Sequence, residues 1–111
     1  MLNNLQMLID KNYDNISCLC KKHDVAKLWA FGSVCTDKFS DKSDIDLLIS
    51  FYNISIEKYT DNYFILHERF ENIFQRPVDL LTVKMISNPY LIKVMDKTKT
   101  LIYGFLIILS G

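Results

Sequence analysis

Apolar residues return at three- and four-residue steps through Leu5, Leu8, Ile9, Tyr13, Ile16, Leu19 and Cys20, which predicts an amphipathic helix over residues 3–22. Lys21, Lys22 and His23 crowd its end, where cations suit the helix dipole. Lys27 to Phe31 then reads as a short strand, with Trp29 and Phe31 assigned to the core. Ser33 to Lys38 reads as a short helix and Phe39 to Ser43 as a polar loop. Asp44 to Phe51 is a strongly apolar strand. Helical spacing returns at Ile56, Tyr59, Tyr63, Leu66, Phe70, Ile73 and Phe74, predicting a long helix over residues 56–75. Pro77 opens a third strand that runs through Thr82, at the first position, where strands tolerate proline. Asn88-Pro89 is a cap followed by proline at the first helical position, so Pro89 to Asp96 is a helix. Thr100 to Tyr103 closes the pattern as a fourth strand. The order fits an α+β domain, a small mixed sheet with helices packed against it.

With 111 residues the expectation is a single domain over 1–111, with a core but no room for a second module. Residues 104–111 form an apolar tail, with Phe105 to Leu109 apolar throughout. It either packs on the domain or makes a subunit or partner contact. Thirteen basic residues balance thirteen acidic ones. A neutral chain has no long-range pull on a polyanion, which argues against direct nucleic-acid binding. No signal-peptide pattern opens the chain and no apolar run is long enough to span a bilayer, so a cytoplasmic protein is expected. Cys18, Cys20 and Cys35 lack metal-ligand spacing and read as reduced cysteines.

The chemistry concentrates in two short segments. Ala30-Phe31-Gly32-Ser33 places a Gly-Ser pair directly after one apolar run. Ten residues on, Asp44-Ile45-Asp46-Leu47-Leu48-Ile49 places two carboxylates at alternate positions of the next. Alternate strand residues share a face, so Asp44 and Asp46 point the same way. Two neighbouring acids on a largely buried strand repel each other and resist desolvation unless a cation lies between them. Mg²⁺, with its oxygen ligands, is the usual ion where a phosphate also binds. Gly32 allows close backbone approach, and Ser33 begins a helix whose free N–H groups favour anions. A phosphate site beside metal carboxylates reads as nucleotidyl transfer. His67, between core-facing Leu66 and exposed Glu68, has no nucleophile to pair with and reads as a surface or flank histidine.

Gly32-Ser33, ten intervening residues and Asp44-Ile45-Asp46 together resemble the signature of the DNA polymerase β-like nucleotidyltransferase superfamily. Within it, the chain is similar to the minimal nucleotidyltransferases, the MntA-type antitoxins, from about Leu5 to Gly104. The similarity includes Pro77-Val78-Asp79-Leu80-Leu81, where the family carries its third carboxylate, and Asn88-Pro89-Tyr90. The resemblance implies the polymerase β-like fold and a catalytic, metal-binding triad of Asp44, Asp46 and Asp79. It also implies two Mg²⁺ ions, with Asp44 and Asp46 holding both, while Asp79 binds the catalytic one and helps take the acceptor proton. ATP is the implied substrate, with Gly32, Ser33 and Ser43 binding the nucleotide. Many family members follow Gly-Ser with an Arg-rich run. Here Val34-Cys35-Thr36 stands instead, leaving Lys38 and Lys42 either as replacements or as ordinary solvated lysines.

Nucleotidyltransferases that modify antibiotics or nucleic acids carry a further domain to hold the acceptor, and this chain has no room for one. The first expectation is therefore transfer of AMP to a protein hydroxyl. The resemblance names the partner as a cognate HEPN-type ribonuclease toxin, silenced by adenylylation of a tyrosine. Two alternatives stay open: transfer to a small molecule such as an aminoglycoside across a homodimer, and a non-catalytic module that inhibits the toxin by binding it.

Overall fold

The computed structural model describes residues 4–31, 44–86 and 88–104. Helix α1 (Asn4–Lys22) leads into β1 (Val25–Phe31) through a turn in which Asp24 takes the left-handed conformation, φ 61°. Strand β2 (Ile45–Phe51) runs antiparallel to β1, with Phe31 opposite Asp46 and Ala30 opposite Leu47. Helix α2 (Ile56–Phe74) then crosses over to β3 (Val78–Thr82), which lies parallel to β2. A 3₁₀ turn (Val83–Met85), helix α3 (Pro89–Thr98) and β4 (Thr100–Tyr103) follow, and β4 pairs antiparallel with β1. The sheet order is β3-β2-β1-β4, so among the described residues β3 and β4 are its edges.

Local signals explain the element ends. Ser55 caps α2 by accepting a hydrogen bond from the Lys58 amide at 3.2 Å. Gln75 ends the helix in the left-handed region, φ 55°, its N–H bonded to the Glu71 carbonyl at 2.9 Å. Asn88 caps α3 as expected, its side-chain oxygen accepting from the Tyr90 amide at 2.9 Å. The helix runs on to Thr98, two residues past its expected end.

One face of the sheet carries the main core. Leu28 and Ala30 of β1, Ile45, Leu47 and Ile49 of β2, and Val78 and Leu80 of β3 are buried there. They pack with Ile9, Ile16 and Cys20 of α1 and with Leu66, Phe70 and Phe74 of α2. Buried Asn62 ties α2 to the turn before β1, donating to the His23 carbonyl at 2.8 Å and to the Asp24 carboxylate at 3.2 Å. Trp29 and Phe31 depart from the sequence expectation. They are half-buried and point to the opposite face, because Leu28 and Ala30 occupy the helical side of β1. On that opposite face a cavity of about 240 Å³ is lined by Trp29, Leu48, Val83, Ile86, Ile92 and Lys99, among others. The expected helix over Ser33–Lys38, the loop Phe39–Ser43 and the tail Phe105–Leu109 lie outside the described residues.

Candidate functional site: a carboxylate edge on the open face

The parallel pairing of β2 and β3 decides where the acids meet. Ile45 lies opposite Val78 and donates its N–H to the Pro77 carbonyl at 3.1 Å. The next pair in register is Asp46 with Asp79. Both members of the Ile45–Val78 pair are buried under the helices, so alternation sends the Asp46–Asp79 pair to the other face. Asp44 lies just before β2, which opens at Ile45 rather than at Asp44 as expected; it is exposed, and its charge is felt at Asp46. Three carboxylates separated by up to 35 positions in sequence thus share one corner of the sheet.

The electrostatics agree with that placement. Burial, then the charge of Asp79, then that of Asp44 raise the Asp46 carboxyl above its ordinary value. Asp79 is felt on the other side as well: burial first, then Asp79, then Tyr59 raise the Tyr63 phenol. Among the described residues no three His, Cys, Asp or Glu side chains, Asp44, Asp46 and Asp79 included, converge closely enough to hold a metal ion by themselves.

Phe31, the residue before Gly32, is the register partner of Asp46 on the β1 side. Asp46 therefore stands between the end of β1 and Asp79. Gly32, Ser33 and Ser43, together with Lys38 and Lys42, lie outside the described residues. The larger grooves, about 520 and 430 Å³, run between α1 and α2 past Cys18, Leu19 and Arg69. Neither touches the carboxylate edge, which is where the acids are concentrated. Cys20 is buried in the core while Cys18 is exposed, so the two thiols do not share a face.

Sequence reasoning read His67 as a surface or flank histidine with no nucleophile to pair with. In the structure it is half-buried on α2, and its Nε2 donates to the Val78 carbonyl at 2.9 Å. The signal was present as a polar stripe, Tyr63, His67 and Glu71, at four-residue spacing on one helix face.

The family model "Polymerase beta, Nucleotidyltransferase" matches residues 14–104, a span containing all three carboxylates. The chain belongs to the polymerase β nucleotidyltransferase family. It is a nucleotidyltransferase of α+β fold. Over 76 residues it is 34% identical to "Putative protein adenylyltransferase MJ1379" of Methanocaldococcus jannaschii, a match spanning 68% of this chain and 75% of that one. Its fold is similar to that of a toxin–antitoxin crystal structure with AMP-PNP, at TM-score 0.66 and 17% identity, covering 86% of this chain and 75% of the other. It is also similar to a chain in the complex of tri-AMPylated Shewanella oneidensis HEPN toxin with MNT antitoxin. That match has TM-score 0.59 and 15% identity and covers 91% of this chain and 73% of the other. Among the described residues no helix is long and apolar enough to cross a membrane.

Proposed function

We propose that this nucleotidyltransferase is a metal-dependent adenylyltransferase that moves AMP from ATP to a tyrosine hydroxyl of a cognate HEPN-type toxin, acting as its antitoxin. The observation that carries the reading is the register pairing of Asp46 with Asp79, with Asp44 just before β2 and its charge felt at Asp46. The three carboxylates offer oxygen donors, and burial together with the charges of Asp79 and Asp44 at Asp46 favours a hard divalent cation there. Asp44, Asp46 and Asp79 would hold Mg²⁺. When bound, the ion neutralises charge on the triphosphate and on the attacking oxygen.

The residues of the chain do the rest. Gly32, Ser33 and Ser43, at the positions the family resemblance assigns to the nucleotide, would bind the triphosphate. The acceptor oxygen attacks the α-phosphorus, the bond to the leaving pyrophosphate breaks, and Asp79 receives the hydroxyl proton. Catalysis is chiefly positioning and charge neutralisation. A protein acceptor is supported by the name of the Methanocaldococcus relative, and a HEPN toxin by the complexes whose antitoxin chains share this fold. Reduced cysteines and ATP as substrate go with a cytoplasmic setting.

The test is incubation of the purified chain with the product of its neighbouring reading frame, ATP and Mg²⁺, followed by intact-mass measurement. The expected result is addition of AMP to a tyrosine of that partner, abolished by chelation and by Asp46→Asn. A partner bound and inhibited but unmodified would replace this reading with the binding module. Modification of an aminoglycoside by a homodimer would replace it with the small-molecule enzyme.

A further inference from the structure

Asp79 sits on a five-residue edge strand, the least restrained kind of strand on which to place a reacting carboxylate. The Pro77 carbonyl points to β2, where it accepts from Ile45. Peptide groups alternate in direction along a strand, so those of Val78 and Leu80 point outward to the free edge. Three side chains of α2 meet them there. Glu71 accepts the Val78 N–H at 2.9 Å, and His67 donates to the Val78 carbonyl at 2.9 Å. The Tyr63 hydroxyl donates to the Leu80 carbonyl at 2.6 Å. The residues on both sides of Asp79 are therefore gripped through their backbones by one stripe of one helix. His67 lies at its centre, 3.7 Å from the Glu71 carboxylate.

We propose that Tyr63, His67 and Glu71 are positioning residues that clamp the backbone on either side of Asp79 and so hold its carboxylate opposite Asp46 for metal binding. The inference rests on the reading of Asp79 as a metal ligand given above. Packing alone does not supply the same restraint. Buried Val78 and Leu80 fix which face Asp79 takes, since a one-residue slip would turn it into the core. The hydrogen bonds fix the height and tilt of the peptide planes that carry it. Because Val78 O can only accept, the clamp also sets the His67 tautomer, with a proton on Nε2.

The test uses the full chain with a non-hydrolysable ATP analogue and Mn²⁺ as the probe, following bound ion by electron paramagnetic resonance and folding by thermal denaturation. His67→Ala is expected to weaken Mn²⁺ binding on the order of tenfold, the size of effect typical when a ligand's support is removed. His67→Gln keeps a side-chain N–H donor and is expected to recover most of that loss. Tyr63→Phe deletes only a hydroxyl, leaves the fold intact and is expected to weaken Mn²⁺ binding by a smaller factor. It decides the matter should His67→Ala fail to fold. Wild-type affinity in His67→Ala, or equal weakening in the Ala and Gln variants, would overturn the clamp, as would wild-type affinity in Tyr63→Phe. Asp79→Asn separates the two levels. Wild-type affinity there would remove Asp79 from the ligand set and the clamp's role with it, whereas weakened binding beside an unaffected His67→Ala would remove the clamp alone.

Discussion

Asp46 shows how one residue can be legible by type and opaque by environment. Its spacing from Asp44 marks it as an acid on a shared strand face, but the charge that weighs on it most comes from Asp79, brought alongside by strand pairing. Its raised folded-state pKa means that the folded protein holds this proton more tightly than the unfolded chain does. That contribution is fully present below the ordinary carboxylate value of 3.8 and is lost as pH rises through the raised one, so at neutral pH the ionised group is a cost. Asp46→Asn is expected to abolish nucleotidyl transfer while raising the melting temperature of the chelator-treated protein above wild type. Thermal denaturation with and without Mg²⁺ checks both, since the wild type alone should gain stability from the ion. Cys20 makes the opposite case, a group silenced by its surroundings. Burial pushes its thiol up to about 12, whereas Cys18 lies exposed. In a Cys35→Ser background at pH 8, a maleimide is expected to label Cys18 in the native protein and Cys20 only after denaturation, read by mass.

At the scale of elements, the ends were set locally and the edges were not. Ser55 and Asn88 cap helices where their side chains reach the free amides two or three residues on, a short-range geometry that sequence states directly. The close of β4 depends on distant neighbours. Gly104 takes φ 112°, and a Cβ there would fall 2.6 Å from the Ala26 carbonyl oxygen and 2.9 Å from the Lys27 Cα, both backbone atoms. Gly104→Ala is therefore expected to cost about 1–3 kcal/mol, measured by chemical denaturation, with the loss borne by the β1–β4 edge. At the other edge the stripe of α2 that grips β3 explains why a strand of five residues can carry Asp79. Helical periodicity gave Tyr63 as a core-facing position, yet its hydroxyl reaches the strand's backbone. Periodicity reports which side of a helix faces inward. It does not report which peptide group waits there.

For the whole molecule, balanced charge and the placement of the acids point the same way. Thirteen basic and thirteen acidic residues leave no net field to gather a nucleic acid, and the carboxylates add local negative potential at the site. The chain is expected to pass through immobilised heparin or duplex DNA at physiological salt without retention, while a partner adenylylation assay shows little dependence on ionic strength compared with a basic nucleic-acid enzyme. A protein acceptor instead needs a complementary surface, and the exposed Tyr52, Ile56, Phe64, Met85 and Tyr90 are apolar groups available for one.

Sequence by itself determined the helices and strands of the described residues and the Gly-Ser and Asp-x-Asp spacing that resembles a nucleotidyltransferase. These are short-range matters of backbone period and capping, written within about a dozen residues. The tertiary structure alone decided that Asp79 pairs with Asp46, that Trp29 and Phe31 face away from the main core, and that His67 grips Val78. The physical reason is strand order and register. Which strand lies beside which depends on how α1 and α2 bury their apolar stripes against one face of the sheet, a many-residue balance that no local pattern records.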